Sequence, residues 1–128
     1  MATLDFPSPP APNGFSPVVG IAPGSRLIIT SGQVAMAADG SIPAGWEAQT
    51  RLVFQNLTAV LAAAGAGWPD VVKLTYFVTG VGDLPAVRRV RDEFVDTLQP
   101  PASSLVQVAG LFLPGLLIEV EATAAVPA

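Results

Sequence analysis

The chain contains no cysteine and no histidine. Without cysteine there is no disulfide framework and no thiolate nucleophile. Without histidine, no serine has the usual base to activate it, and the only lysine, Lys73, sits in the middle of an apolar run. Charge is scarce too: charged residues make up 12% of the sequence, and the net charge is −4. The six cations are Arg26, Arg51, Lys73, Arg88, Arg89 and Arg91, of which only the last three cluster. Nucleic-acid binding draws on many phosphate contacts, so an acidic chain with one short arginine patch is a poor footprint for it. No run approaches the roughly eighteen apolar residues of a membrane span. The start, MATLDFPSPPAPNGF, has neither the basic beginning nor the apolar stretch of a secretory signal. A cytoplasmic protein with no membrane and no nucleic-acid partner is expected.

What is present is apolar. Hydrophobic residues make up 51% of 128, a high share for a single small domain, which has much surface to cover. Some of that surface is expected to meet another chain.

Residues 1–14 hold four prolines and read as an extended arm with little packing of its own, leaving residues 15–128 as one domain. From Arg26, RLIITSGQV is β-branched and bounded by the turn-formers APGS and ADGS, which predicts a strand; VVGIA before it could pair with it as a hairpin arm. WEAQTRLVFQNLTAVLAAAG spaces Val53, Leu57, Val60 and Ala64 three and four apart and ends on Gly65, which predicts a helix with a glycine cap. VVKLTYFV, Val71 to Val78, reads as a second strand. Asp83 can then cap a helix with the stripe Val87, Val90, Phe94 and Leu98, stopped by Pro100 and Pro101. SLVQV and LLIEVEATAAV complete the set as strands.

Two amphipathic helices and one sheet make a two-layer α+β domain with both helices on one face. In the last strand Ile118, Val120, Ala122 and Ala124 point one way, while Leu117, Glu119, Glu121 and Thr123 point the other. The first long strand is apolar on both faces, at Leu27 and Ile29 and at Ile28 and Val34. Helices sufficient for one face leave the other in want of a partner, so a homo-oligomer is expected.

The stretches RLIITSGQVAMAADGSIPAG, QTRLVFQNLTAVLAAAGAGWPDVVKLTYFVTGVGDLPAV and PASSLVQVAGLFLPGLLIEVEATA together resemble the RidA/YjgF family of reactive-intermediate deaminases, over roughly residues 15 to 125. The resemblance implies a chorismate-mutase-like fold, a homotrimer whose sheets line a central barrel, and three clefts between subunits. It also implies hydrolysis of small enamines and imines to 2-ketoacids and ammonia, with neither metal nor organic cofactor.

Its residues transfer unevenly. Ser31, Gly32 and Gln33 match the family's SGQ lining of the cleft. Glu119 matches the acidic residue thought to orient or activate water, and a carboxylate can take and return a proton; pairing with an arginine across the barrel is its structural alternative. Ser103 stands where the family carries the arginine that grips the substrate carboxylate, and a hydroxyl cannot supply that charge. Phe15 lies where many relatives have tyrosine. Arg88 falls where several relatives have asparagine facing the cleft, so the positive charge is either relocated there or solvated on a helix face. Gln107 completes the expected substrate-binding set. A non-catalytic small-molecule binder that kept the cleft, or a related tautomerase or cyclase, is the alternative reading.

Overall fold

Residues 2–128 are described by a computed structural model, in which the longest apolar alternation in the sequence forms the central strand. In chain order the elements are β1 (Leu4–Asp5), β2 (Gly20–Ile21), β3 (Arg26–Ile29), β4 (Gln33–Val34), α1 (Trp46–Ala63), a 3-10 turn (Trp68–Asp70), β5 (Val71–Val78), α2 (Leu84–Arg91), β6 (Ala102–Gln107) and β7 (Ile118–Val126). Five strands form one mixed sheet in the order β3-β7-β5-β6, with β4 also paired to β7. β5 and β6 run parallel, joined by the crossover through α2, and the other pairs are antiparallel.

β5 alternates because Leu74, Tyr76 and Val78 point under the helices while Lys73, Thr75 and Phe77 point away. β7 continues the inner face with Ile118, Val120, Ala122 and Ala124, all buried, as the alternation requires. Against this face α1 lays Val53, Phe54, Leu57 and Leu61, and α2 lays Val87, in one cluster. Both helices therefore cover the same face, giving the α+β, chorismate-mutase-like architecture. Gly65 ends α1 at φ 80°, where Ala66 N–H donates to the Leu61 carbonyl at 2.9 Å and Gly65 N–H to that of Ala62 at 3.0 Å. This closure needs a left-handed residue, which glycine supplies without a Cβ penalty.

Several local expectations are corrected. The α1 stripe turns through Phe54 and Leu61, leaving Val60 exposed and Ala64 as the cap. Phe54 is chosen because it anchors an aromatic cluster, with ring centroids 5.1 Å from Trp68 and 5.3 Å from Phe94. α2 stops at Arg91, and Leu98, expected on its buried stripe, is 82% exposed. After Arg91 the backbone continues in tightened turns, Glu93 N–H donating to the Val90 carbonyl at 3.0 Å and Phe94 N–H to that of Arg91 at 2.9 Å, and the Asp96 carboxylate then accepts the backbone N–H of Leu98 at 2.9 Å in a local turn. Asp83 occupies the cap position, yet its side chain makes no capping hydrogen bond.

Nor does β2 pair with β3. It pairs with β1, Leu4 opposite Ile21, so part of the arm assigned little packing is held in a small sheet of its own. The strand from Arg26 is broken rather than continuous: between Ile29 opposite Thr123 and Gln33 opposite Val120, the β3–β4 side carries one residue more than β7. That bulge lifts Ser31 and Gly32 out of the ladder. Thr30 fixes it from beneath, donating its N–H to the Ala122 carbonyl at 2.9 Å and accepting the Ala122 N–H on Oγ1 at 3.0 Å.

The second sheet face is open and partly apolar. Leu27 is 55% and Ile29 77% exposed, and Val106, in register with Phe77 on this face, is also exposed. β6 is an edge strand, paired on one side only.

Candidate functional site

The crossover β5-α2-β6 places one helix beside an edge strand, and a cavity of about 170 Å³ opens between them. Phe15, more than seventy positions before the other two, lines it together with Arg88 and Ser103. Ser103 is in register with Leu74 and so faces the helix side of β6. Phe15 is held against that strand by its neighbour: Ser16 Oγ–H donates to the Pro100 carbonyl and Ser16 N–H to that of Pro101 at 3.1 Å. Both bonds are buried, so the position of Phe15 is tied to the start of β6. The proline pair therefore serves as an anchor and not as the helix stop that was expected, because α2 already ends at Arg91.

Three residues that the sequence did not single out complete the pocket. Asn13 and Arg91 reach it from the arm and from the end of α2, and Tyr76 forms part of its floor. The Arg91 guanidinium lies against the backbone of Gly14, which has φ 84° and where any Cβ would collide with the arginine. Arg91 also pairs with Asp92, Nη2 to Oδ1 at 2.9 Å, and its side chain is only 11% exposed. Arg88, one helical turn earlier and half-buried, has no acidic partner among the described residues.

The Tyr76 hydroxyl is buried and has no hydrogen-bond partner among the described residues. Burial holds this phenol well above the usual tyrosine range, the nearby Arg91 charge opposing and the Asp92 charge adding to that shift, so it stays protonated and can only be a donor or a neutral acceptor. A signal for it existed in the sequence: the only tyrosine stands between Leu74 and Val78 on an inward stripe, where a phenol needs a partner.

Ser31, Gly32, Gln33 and Glu119 form a second group on the opposite face of the sheet. The Glu119 side chain passes directly over Gly32, where a Cβ would overlap the carboxylate. Glu119 is half-buried, in register with Phe77, and Val34 stands opposite it on β4. Gln33 donates its side-chain amide to the Ser31 carbonyl at 3.3 Å. Within one chain these four residues do not meet the Arg88 pocket, because the sheet lies between. Gln107, exposed at the end of β6, lines neither group. Ser104 does line the cavity, and Lys73 donates to its Oγ at 2.7 Å, so the lysine is engaged by a hydroxyl and has no acidic partner among the described residues. Among the described residues, no three His, Cys, Asp or Glu side chains converge as a metal ion would require. No helix among them is long and apolar enough to cross a membrane.

The class is that of a two-layer α+β domain with a bulged SGQ segment beneath a glutamate and a pocket between its second helix and an edge strand. Comparison places the chain within that class. The profile of the Endoribonuclease L-PSP family matches residues 7–126. The chain is 36% identical over 117 residues to the 2-iminobutanoate/2-iminopropanoate deaminase of Escherichia coli, covering 89% of this chain and 91% of that one. It is 38% identical over 105 residues to TdcF of the same organism, covering 79% of this chain and 81% of TdcF. A crystal structure of TdcF with bound serine superposes with a TM-score of 0.70 over 89% of this chain and 94% of that one, at 31% identity. YyfB of Yersinia pestis, of the conserved Rid protein family, superposes at a TM-score of 0.82 over 98% of this chain and all of its own, at 34% identity. The chain belongs to the RidA/YjgF family.

Proposed function

We propose that the protein is an imine and enamine deaminase that holds its substrate carboxylate on Arg88, the role that the family resemblance gives to an arginine at position 103. The observation that carries this reading is a half-buried guanidinium, without an acidic partner among the described residues, in the same cavity as Ser103 and Phe15. An arginine in a partly dry pocket binds carboxylate through charge-assisted hydrogen bonds, worth about 1.5–3 kcal/mol.

Hydrolysis of an imine needs water added at carbon and a proton passed to nitrogen. Water loses a proton as its oxygen bonds to the imine carbon, the nitrogen gains protons as the carbon–nitrogen bond breaks, and the products are a 2-ketoacid and ammonia. An enamine first takes a proton at carbon to become the imine. Glu119 is the residue assigned to these transfers, since a carboxylate can accept a proton and return it. In a single chain it lies across the sheet from Arg88, so the active site in this reading joins the Arg88 pocket of one subunit to the Glu119 face of another, in a homotrimer. The exposed Leu27, Ile29 and Val106 on the Glu119 face are the surface such an assembly would bury.

The test is ammonia and ketoacid release from 2-aminoacrylate generated in situ. Wild type is expected to accelerate release, Glu119→Gln to lose most of the acceleration, and Arg88→Ala to lose it at low substrate. Acceleration only by Ser103→Arg would mean that the pocket no longer accepts this substrate class. No acceleration by wild type, with ketoacid still bound, would favour a binding protein that kept the cleft without the chemistry; serine at position 103 is the feature that speaks for that second reading.

A further inference from the structure

We propose that Tyr76 is a specificity-determining residue of the Arg88 pocket, donating its phenolic hydrogen to a neutral acceptor on the substrate side chain and so selecting small monocarboxylic acids that carry a hydroxyl, carbonyl or carboxamide. The inference rests on the reading that Arg88 holds the carboxylate.

The geometry is that of an unfilled donor. Tyr76 is 3% exposed, lines the cavity, and its hydroxyl is buried without any protein partner among the described residues. A buried hydroxyl left unpaired is costly, and such groups in folded proteins are as a rule satisfied by protein, water or ligand. The ring itself is fixed: it packs against Phe54 at 6.3 Å between centroids and is in register with Leu105 on β6 and Val120 on β7. The phenol therefore cannot swing away to find a partner elsewhere.

Charge decides which end of a ligand goes where. The groups facing the phenol are Arg91 and Asp92, which already neutralise one another across 2.9 Å. Among the described residues Arg88 has no such partner. An anion is accordingly drawn to Arg88, and the balanced end of the pocket, at Tyr76, suits an uncharged acceptor. Arg88 and Arg91 are three positions apart on α2, which places their Cβ atoms about 5–6 Å apart. A ligand of three or four carbons can span a carboxylate and a terminal hydroxyl over that length. A purely alkyl side chain would bring the phenol no acceptor, and unmade hydrogen bonds to a buried polar group are what produce rejection in such sites.

The experiment is calorimetric binding of two ketoacids that differ by one group, 2-oxobutanoate and 4-hydroxy-2-oxobutanoate, to wild type and to Tyr76→Phe, with thermal unfolding of both proteins. Wild type is expected to bind the hydroxylated acid more tightly, and Tyr76→Phe to weaken that acid about tenfold while leaving 2-oxobutanoate within about twofold. Tyr76→Phe should unfold at or above the wild-type temperature, because it removes an unpaired buried hydroxyl; should it fold poorly, Tyr76→Met is measured against the same pair. Equal changes for both acids, no change for either, or no binding of either acid by wild type overturns the proposal. Deamination is measured separately: a Tyr76-dependent contrast without ammonia release leaves this inference standing and removes the hydrolytic reading, and ammonia release without the contrast does the reverse.

Discussion

The carboxylate of Glu119 lies over the backbone of Gly32, in space that any side chain at position 32 would occupy. Gly32 does not have a positive φ, so the backbone itself would accept alanine. The group that must move is the flexible end of Glu119. Gly32→Ala is therefore expected to fold with a melting temperature within a few degrees of wild type and to lose ammonia release about as severely as Glu119→Gln. Measuring turnover and thermal unfolding on the same preparation checks this; full activity in Gly32→Ala would show that the position of the Glu119 carboxylate does not matter to the reaction.

Arg88 makes an electrostatic prediction distinct from shape. If it holds the ligand carboxylate, Arg88→Ala should raise the dissociation constant for 2-oxobutanoate by about tenfold to a hundredfold. Arg88→Lys should recover part of the loss, since it restores charge without the planar fork. Adding salt should weaken wild-type binding and barely affect Arg88→Ala, because screening acts on the charge that the variant lacks. Titrations at two ionic strengths separate this from loss of packing, which salt would not reveal.

Gln49 is a polar residue that the apolar pattern of α1 does not announce. It is buried and spans three backbone groups, donating Nε2–H to the carbonyls of Pro43 at 3.0 Å and Gly115 at 2.8 Å and accepting Leu117 N–H at 2.8 Å. It thus ties the loop before α1 to the loop that feeds β7, whose next residues carry Glu119. Gln49→Leu leaves three backbone groups unpaired and should cost about 2–4 kcal/mol, with each orphan contributing part. Chemical denaturation would measure it, and a change under 1 kcal/mol would mean that water replaces the side chain.

The parts of this fold legible in the sequence are those set by alternation and by glycine punctuation, whereas the proline pair expected to stop α2 lies well past its end. Val71 to Val78 formed the strand expected, the inner face of β7 followed its alternation, and Gly65 ended α1. What the sequence concealed depended on contacts between distant segments. Leu98 has the spacing of a buried helical residue, but α2 ends at Arg91 and the Asp96 carboxylate holds the Leu98 N–H in a turn. The β3–β4 bulge depends on Thr30 bonding to Ala122, ninety-two positions away. The pairing of Leu4 with Ile21 needs a strand partner that two-residue segments cannot declare. The site was half legible for the same reason. Motif positions identified Phe15, Arg88 and Ser103 individually, whereas Asn13, Arg91 and Tyr76 join them only because the crossover folds α2 beside β6.

Tyr76 also gives the protein a specific response to alkali. Burial raises its pKa far above the ordinary value of about 10, the Arg91 charge being insufficient to offset the loss of solvation. Below that ordinary value the phenol is protonated in both folded and unfolded chains and contributes nothing to pH dependence. Above it the unfolded chain releases the proton and the folded chain keeps it, so the unfolded state gains up to about 1.4 kcal/mol per pH unit. Stability should therefore fall as pH rises beyond about 10, and Tyr76→Phe should lose less over the same interval. Because Tyr76 is the only tyrosine, tyrosinate absorbance reports this one group directly. It should stay silent while the protein is folded and rise together with the loss of circular dichroism. A tyrosinate signal that develops near pH 10 in folded protein would mean that solvent reaches the pocket floor.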